Sequence, residues 1–478
     1  MAHKLRFESL GSKNRNAILN NKGSANYQKM KNESFLVQEI YVAYRESRNP
    51  EGIKLAELFL KKNKTDQLVW KILGELYKRV NDIPRAILAY RRAIYLNPRD
   101  ANAHINLGIL LKGKNQKKDA EKNYRQAIIL DPTSTLAMNN LANLLRQSGR
   151  VEEAEKFCRE ALKINPKYEM ALINLAIILE YKDDFSERVA ILNNLVKSEN
   201  KLIYLQAMTN LAIITYLRNQ FDESRDLLAR SKEIQNLNNS VLKNEKNYHI
   251  YLSKILHDES FNNKPFFHKT IKNLFVIGDS HSLTSHTLNI NVWGETFHCE
   301  AFLIKGCKQW DLAKDGSNQF KNKLYSVFKN IPNKSDVLLS IGEIDCRLDS
   351  GIIRFKKKYP KKSIDDIIEN TINRYFKYIS ELNKSFYHNL IFQTVPCPIL
   401  ETNSVSKDDN KLLNYVIKSF NNYLKLKAEE LQYKYLDLHS LTDRGDGFSN
   451  NVHHIDAHHL SRQAMIEAWT TKFVNKFK

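Results

Sequence analysis

Residues 70–98 read WKILGELYKRVNDIPRAILAYRRAIYLNP, and 34 residues later the chain reads HINLGILLKGKNQKKDAEKNYRQAIILDP over 104–132. Large, small and helix-ending residues recur at the same places in both stretches, and a third copy follows over 138–166. In the first copy these positions are Trp70, Leu73, Gly74, Tyr77, Ala86, Tyr90, Ala93 and Pro98. The pattern is typical of two antiparallel helices per copy, because small residues let helix backbones approach and a proline ends the second helix. It therefore predicts a helical repeat array.

The period and its residue pattern resemble those of tetratricopeptide repeats, and weaker copies extend the array over residues 33–240. This resemblance implies a curved scaffold that binds a protein or peptide segment in its groove. Asparagine occupies the same place in four successive copies, namely Asn106, Asn140, Asn174 and Asn210. Since an amide both donates and accepts hydrogen bonds, we expect this ladder to hold the backbone of an extended partner. The alternative is that asparagine serves the repeat structure alone.

The composition is that of an ordinary folded protein with at least two domains. Of 478 residues, 42% are hydrophobic and 27% are charged, which supplies enough apolar side chain for sizeable cores. Five cysteines without a CxxC pair favour reduced thiols, and the lack of a long apolar run predicts no membrane span and a cytoplasmic location. The net charge of +21 attracts anions, yet no DNA- or RNA-binding motif accompanies it, so we expect no nucleic-acid partner.

Beyond the repeats the spacing of apolar residues changes. We expect a basic, flexible tail over 1–32, a linker helix over 241–270 and a second domain over 271–478. Short apolar runs in this last stretch alternate with helical patterns, which predicts a parallel sheet flanked by helices. The five expected strands are 274–277, 298–304, 337–341, 390–395 and 435–438. Reactive side chains gather beyond the carboxyl ends of the strands in such sheets.

Two short motifs carry side chains suited to nucleophilic catalysis. Gly278, Asp279 and Ser280 follow the first expected strand, where a tight turn into a helix holds the serine clear of its neighbours. A serine hydroxyl is a weak nucleophile and needs a base within hydrogen-bond reach. The stretch HHIDAHHLS over 453–461, in which an aspartate precedes a histidine by three residues, offers such a base.

The order of these motifs resembles the four blocks of SGNH/GDSL hydrolases: an early Gly-Asp-Ser, a lone glycine, Gly-x-x-Asp after the third strand and a late Asp-x-x-His. The resemblance implies a flavodoxin-like α/β domain with a parallel five-stranded sheet. It also implies Ser280 as nucleophile, His459 as general base and Asp456 as the residue that orients the imidazole. The backbone amides of Ser280 and Gly306 would form the oxyanion hole, which stabilises the negative oxygen of the intermediate.

The same resemblance implies the reaction. We expect a serine-dependent ester hydrolase or O-acyltransferase that acts on a small or carbohydrate-linked acyl ester through an acyl-serine intermediate, without a metal or cofactor. The repeats would recruit the protein partner. Hydrolysis and transfer stay open, because they differ only in whether water or a hydroxyl acceptor reaches the intermediate.

The third block departs from the family pattern at Ile344, where the family carries an asparagine that donates to the oxyanion. An aliphatic side chain cannot donate, and removing one such donor costs about 100-fold to 1000-fold in rate. We take Arg347 as the candidate replacement donor, the alternative being a salt bridge from Arg347 to Asp345 or Asp349.

Two other functions stay open. Ile344 favours a catalytically weak or inactive binding module that recognises an acylated or glycosylated ligand. The stretches 279–281 and 342–347 also faintly resemble the opening blocks of metallophosphoesterases, although the later Gly-Asn-His-Glu and Gly-His-x-His motifs of that family are missing.

Overall fold

The computed structural model describes residues 25–181, 185–237, 242–258, 271–292, 294–400, 405–469 and 473–474, with side chains from residue 34 onward. The chain forms two compact units: the first comprises residues 1–144 and 156–168, and the second comprises residues 145–155 and 169–478. The division falls inside the predicted repeat array rather than after it. Most of the predicted tail and the later part of the predicted linker lie outside the described residues.

Helical pairs build the first unit. Its helices are α1 (Ala25–Arg45), α2 (Asn49–Lys62), α3 (Gln67–Arg79), α4 (Ile83–Leu96), α5 (Ala101–Gly113) and α6 (Lys117–Leu130). The side chain of Asp100 accepts a hydrogen bond from the Ala103 amide and so caps α5. A Cβ at Gly108 would lie 2.6 Å from the Tyr124 ring, which explains the small residue at this repeat position. Helices α7 (Thr135–Gln147) and α8 (Val151–Ile164) contribute residues to both units.

The second unit includes the later helices of the predicted array. They are α9 (Glu169–Leu179), α10 (Phe185–Leu195), α11 (Lys201–Leu217), α12 (Phe221–Arg230) and α13 (Lys243–His257), with a short 3-10 helix at Lys232–Asn236. Helix α13 occupies the segment predicted as a linker, but its residues Tyr251 and Leu252 are fully buried. They belong to a hydrophobic core that also contains Leu283 and Leu303. The late helices and the region after residue 271 therefore share one core.

Within the described residues, the sheet of the second unit has six strands: β1 (Ile271–Gly278), β2 (Asn289–Val292), β3 (Glu295–Leu303), β4 (Asp336–Ser340), β5 (Asn389–Gln393) and β6 (Lys434–Leu436). They lie in the order β2-β3-β1-β4-β5-β6. Five of them are parallel and match the predicted strands, whereas β2 pairs antiparallel with β3. The expectation of a purely parallel five-stranded sheet is therefore wrong, and the sheet is mixed. Four residues of alternating burial at a sheet edge gave too weak an apolar signal to predict β2.

Helices cover both faces of this sheet. They are α14 (Ser280–Thr284), α15 (Gln309–Leu312), α16 (Gln319–Asn330), α17 (Glu343–Cys346), α18 (Gly351–Lys358), α19 (Ile364–Asn383), α20 (Lys407–Glu430), α21 (Leu438–Thr442) and α22 (Arg462–Ala468). Successive residues of β1 point to opposite faces. Accordingly, Leu274 and Val276 pack in one core with Trp469, while Phe275 and Ile277 pack in another. Across the described parts of the chain, each helix falls short of the length or the apolar character needed to cross a bilayer.

Candidate active site

The tight turn at the end of β1 positions Ser280. A Cβ at Gly278 would lie 2.1 Å from the Ser340 carbonyl oxygen, so only glycine allows β1 and β4 to approach this closely here. Asp279 follows as the cap of α14, and its carboxylate accepts a hydrogen bond of 3.0 Å from the His281 amide. Ser280 is thereby the first residue of a short helix beyond the carboxyl end of a central strand.

The structure brings together the three residues predicted from the motifs. The Ser280 hydroxyl lies 2.8 Å from Nε2 of His459, a residue 179 positions later in the chain. Nδ1 of His459 lies 2.9 Å from each carboxylate oxygen of Asp456. The Asp456 carboxylate also accepts the backbone N–H groups of His458 and His459 at 2.8 Å, which fixes its orientation. These contacts form a continuous chain from carboxylate to imidazole to hydroxyl.

The charges along this chain suit proton transfer from the serine. Burial lowers the pKa of His459 to about 4, so the imidazole is neutral at neutral pH. Burial alone would raise the pKa of Asp456, but the hydrogen bonds from the His459 imidazole and from the backbone N–H groups of His458 and His459 together outweigh it and hold that pKa below its ordinary value. An ionised Asp456 requires the proton of His459 on Nδ1, which leaves the lone pair of Nε2 facing Ser280.

A second histidine supports the turn that carries the serine. Nδ1 of His281 lies 3.0 Å from Oδ1 of Asp279, and its Nε2 lies 2.8 Å from the carbonyl oxygen of His458. Burial opposes the charge, but Asp279 outweighs burial and raises the pKa of His281 to about 9. His281 is therefore an imidazolium that donates from both nitrogens and ties the Ser280 turn to the loop of His459.

Two tyrosines from the late helices, Tyr216 and Tyr251, also reach the site, although no sequence motif predicted them. The Tyr251 ring of α13 stacks on the His459 imidazole, with centroids 3.7 Å apart and planes 21° from parallel. Its hydroxyl is hydrogen-bonded to Thr284. The hydroxyl of Tyr216 in α11 donates to the Leu283 carbonyl at 2.8 Å. Helices α11 and α13 therefore hold α14, the helix that begins at Ser280, and the His459 imidazole in place.

Arg347 forms an ion pair that the sequence analysis did not foresee. Its Nε lies 2.8 Å from both oxygens of Glu343, and its Nη2 lies 2.6 Å from one of them. Burial opposes ionisation, but Arg347 and His458 hold the pKa of Glu343 well below its ordinary value. Asp345 instead accepts the backbone N–H groups of Gln309 and Trp310. This ion pair engages Nε and Nη2, and Arg347 lines the cavity together with Ser280, so its role as an oxyanion donor stays a prediction.

A cavity of about 620 Å³ lies over Ser280 and His459. One side carries polar groups from α11, α13 and the loop after β3, including Asn210, Tyr248 and Lys305. Apolar side chains also line the cavity, among them Ile344, Leu348, Val395, Pro396, Pro398, Ile399, Leu413 and Ile417. A cavity of this size and lining admits a small ligand with one apolar and one polar part.

The four asparagines of the predicted ladder fall in both units: Asn106 and Asn140 lie in the first, and Asn174 and Asn210 lie in the second. Oδ1 of Asn210 accepts a hydrogen bond of 2.5 Å from Lys305, and Nδ2 donates to the Gln206 carbonyl at 2.8 Å. Asn210 therefore lines the cavity over Ser280. Asn174 is 6% exposed, so little of its side chain is open to a ligand. Asn106 and Asn140 of the first unit are partly exposed, and contact with a partner stays a prediction for the four asparagines.

Among the described residues, two groups bring three potential metal-binding atoms within 4.8 Å of one another. The first consists of Asp279, His281 and Glu343. Both nitrogens of His281 already face acceptors, so this group presents no imidazole lone pair to a cation. The second group consists of Cys397, His439 and Asp443, and burial raises the pKa of the Cys397 thiol to about 12. A protonated thiol is a poor metal ligand.

Comparisons with known proteins concern the repeats. A solved structure of Pseudomonas aeruginosa PilF is 13% identical to this chain, covers 46% of this chain and 97% of its own, and has a TM-score of 0.39. YrrB, described as a protein with an unusual peptide-binding site, is 16% identical, covers 40% of this chain and 95% of its own, and has a TM-score of 0.32. The first repeat domain of Spaghetti (RPAP3) bound to an HSP90 peptide is 21% identical, covers 25% of this chain and 94% of its own, and has a TM-score of 0.24. No curated protein matches the chain. Family models of the tetratricopeptide repeat match residues 105–169 and 205–236. The chain therefore contains tetratricopeptide repeats.

Proposed function

We propose that the protein is a serine-dependent acyl ester hydrolase or O-acyltransferase of the SGNH/GDSL type. The observation that carries the proposal is the hydrogen-bonded chain from Asp456 through His459 to the Ser280 hydroxyl. The order of the four sequence blocks, and a nucleophile placed beyond a central strand, support a flavodoxin-like hydrolase domain.

The reaction follows from the protonation states. The Ser280 oxygen attacks the acyl carbon of an ester while Nε2 of His459 takes the hydroxyl proton, which gives a tetrahedral intermediate with a negative oxygen. The intermediate collapses when the alcohol leaves with the proton held by His459, and an acyl-Ser280 remains. Water, or a hydroxyl of an acceptor, then gives its proton to His459 and attacks the acyl carbon. The product acid or ester leaves, and the proton returns to Ser280.

The cavity supports a small or carbohydrate-linked acyl ester as the substrate. Apolar side chains such as Val395 and Leu413 suit the acyl group. Polar groups of the opposite side, among them Asn210 and Lys305, suit the hydroxyls of a sugar. Transfer to a sugar acceptor requires space for a second ring, and a cavity of about 620 Å³ provides it.

The repeats of the first unit supply the second part of the proposal. Tetratricopeptide repeats bind protein segments, and we infer that those of this chain recruit a protein or peptide partner. Asn106 and Asn140 are the side chains through which they would hold its backbone. Substitution of both by alanine should weaken co-purification of the partner without lowering ester turnover. If wild type and the double variant recover the partner equally well, this role of the two asparagines is wrong.

Turnover of p-nitrophenyl acetate and of a longer homologue tests the catalytic proposal. Ser280→Ala should abolish turnover and labelling by a fluorophosphonate, because the attacking oxygen is gone. Ser335→Ala is a matched control, since this half-buried serine donates to the Pro332 carbonyl just before β4, away from the carboxyl ends of the strands. Equal turnover in wild type and Ser280→Ala would overturn the proposal.

One observation favours a second candidate function. Ile344 lines the cavity where the family carries an oxyanion donor, which fits a binding module that holds an acylated or glycosylated ligand with little turnover. This candidate predicts that Ser280→Ala leaves ligand affinity unchanged and that wild type turns over esters no faster than the variant.

A further inference from the structure

We propose that Tyr248, on helix α13, donates the hydrogen bond to the oxyanion that Ile344 cannot supply. The proposal rests on the function proposed above and adds a catalytic residue to it. Tyr248 lies outside the region that resembles the hydrolase family, so the family pattern does not point to it.

The position of α13 places Tyr248 in the cavity over Ser280. Tyr248 lines the same cavity as Ser280, Gly306 and Ile344. Tyr251, three residues later, stacks on His459 with ring centroids 3.7 Å apart. Side chains three residues apart lie on the same face of a helix, separated by about 5–6 Å. The face of α13 that covers the imidazole therefore also presents the Tyr248 phenol to the cavity, one turn earlier.

The groups around the phenol keep it protonated and aligned. Burial and the nearby Asp279 carboxylate raise the pKa of Tyr248, and they outweigh the opposite effects of the Gly306 amide and Arg347. The phenol is therefore a donor at neutral pH. Gly306, whose amide was predicted to serve the oxyanion hole, lines the same cavity as Tyr248, so the phenol would add a donor beside that amide.

Helix α13 is rigid enough for this role. Tyr251, Leu252 and Ile255 are buried in a core that reaches the nucleophile helix at Leu283. The buried imidazole of His249 is hydrogen-bonded to the Leu228 carbonyl at 2.9 Å. An oxyanion donor lowers the barrier only when its position is fixed before the charge develops, and these contacts fix it.

The test uses the full chain and p-nitrophenyl acetate. Tyr248→Phe removes one hydroxyl and should lower kcat by about 100-fold to 1000-fold with KM unchanged, because the lost bond forms only to the charged intermediate. Adding Ile344→Asn to Tyr248→Phe should restore part of kcat by returning an amide donor to the third block. Tyr325→Phe, on an exposed tyrosine of α16, is the matched control and should keep full activity.

The outcomes separate the two proposals. Full kcat or increased kcat in Tyr248→Phe, with Ser280→Ala inactive, would overturn the role of Tyr248 and leave the serine mechanism standing. Wild type no more active than Ser280→Ala would overturn both. If Tyr248→Phe lowers kcat together with the thermal midpoint, rescue by Ile344→Asn decides: recovery of kcat supports the donor role, and its failure overturns it.

Discussion

The imidazole rings of His281 and His459 lie 4.6 Å apart between centroids and hold different protonation states. Burial disfavours the charge on both rings. His281 overcomes burial through its contact with Asp279 and reaches a pKa of about 9, whereas the pKa of His459 falls to about 4. The charged ring contributes to this fall, since a nearby positive charge disfavours a second proton. One histidine thus keeps its neighbour available as a base.

This relationship predicts the dependence of turnover on pH. Protonation of His459 removes the lone pair that accepts the serine proton, so kcat/KM should stay level from pH 7 to about pH 5. It should fall only as pH approaches the His459 pKa of about 4. Asp279→Asn should let His281 lose its charge, raise the pKa of His459 and move the acid limb to higher pH. His453→Gln, at a histidine bonded to Asn450 and Glu467, is the control. If the acid limb of the kcat/KM profile stays at the same pH in Asp279→Asn, the charge of His281 does not lower the pKa of His459.

The stacking of Tyr251 on His459 predicts separable effects of two substitutions. Tyr251→Phe keeps the ring but leaves the buried Thr284 hydroxyl without this partner, which should lower the free energy of unfolding by about 1–3 kcal/mol with kcat nearly unchanged. Tyr251→Ala also removes the stacked ring and should cost about 3–5 kcal/mol together with a large loss of kcat. Denaturant unfolding and steady-state kinetics measure both. Equal kcat in the two variants would show that the ring does not position the imidazole.

We expect alanine to have opposite effects on stability at two glycines: it should destabilise the protein at Gly278 and stabilise it at Gly113. A Cβ at Gly278 would lie 2.1 Å from the Ser340 carbonyl, so Gly278→Ala should separate β1 from β4 and cost about 1–3 kcal/mol or more. At Gly113, the last residue of α5, a Cβ would meet no described atom within 4 Å. Gly113→Ala should therefore stabilise the protein by about 0.5–1 kcal/mol. Thermal unfolding of both variants shows whether each midpoint rises or falls relative to wild type. Midpoints that shift in the same direction would contradict this account of the packing.

Glu180 predicts how stability depends on pH within the second unit. Burial opposes its charge, but Arg188 at 2.7 Å and Lys305 at 3.8 Å outweigh burial and lower its pKa to about 2. A depressed pKa contributes stability that is present above the ordinary value of 4.5 and lost as pH falls towards 2. Glu180→Gln should remove about 3 kcal/mol at neutral pH and flatten this dependence. Glu199→Gln, at an exposed glutamate, should change neither.

The sequence predicted those parts of the molecule that local patterns determine. The five parallel strands followed from apolar runs. Ser280, His459 and Asp456 followed from motifs whose chemistry needs all three together. The ion pair of Arg347 was also within reach, because Glu343 lies four residues earlier on the same helical face, whereas Asp345 and Asp349 are two residues away. Spacing alone would have pointed to the right partner.

The surroundings of Asn210 and the positions of Tyr248 and Tyr251 could not be predicted, because they depend on contacts between segments that are distant in the sequence. Repeat periodicity fixes which face of α11 carries Asn210, but it does not show what covers that face, and here Lys305 and the cavity cover it. Tyr248 and Tyr251 lie in a stretch whose composition indicated only a connecting helix. Their role emerges once α13 packs over His459. No local pattern encodes such a contact.

The core that joins Leu283 and Leu303 to helices α11 and α13 also limits how the chain can be dissected. A fragment beginning at residue 271 would keep every motif of the hydrolase resemblance. It would still lose the Tyr251 ring that stacks on His459 and the Tyr216 hydroxyl that bonds to α14 at Leu283. The second unit begins at Leu145, and residues 156–168 of the first unit interrupt it, so a fragment that keeps the whole second unit must start at Leu145 or earlier. Disruptive substitutions in α11 or α13 should therefore lower the proposed ester turnover rather than weaken the proposed partner binding.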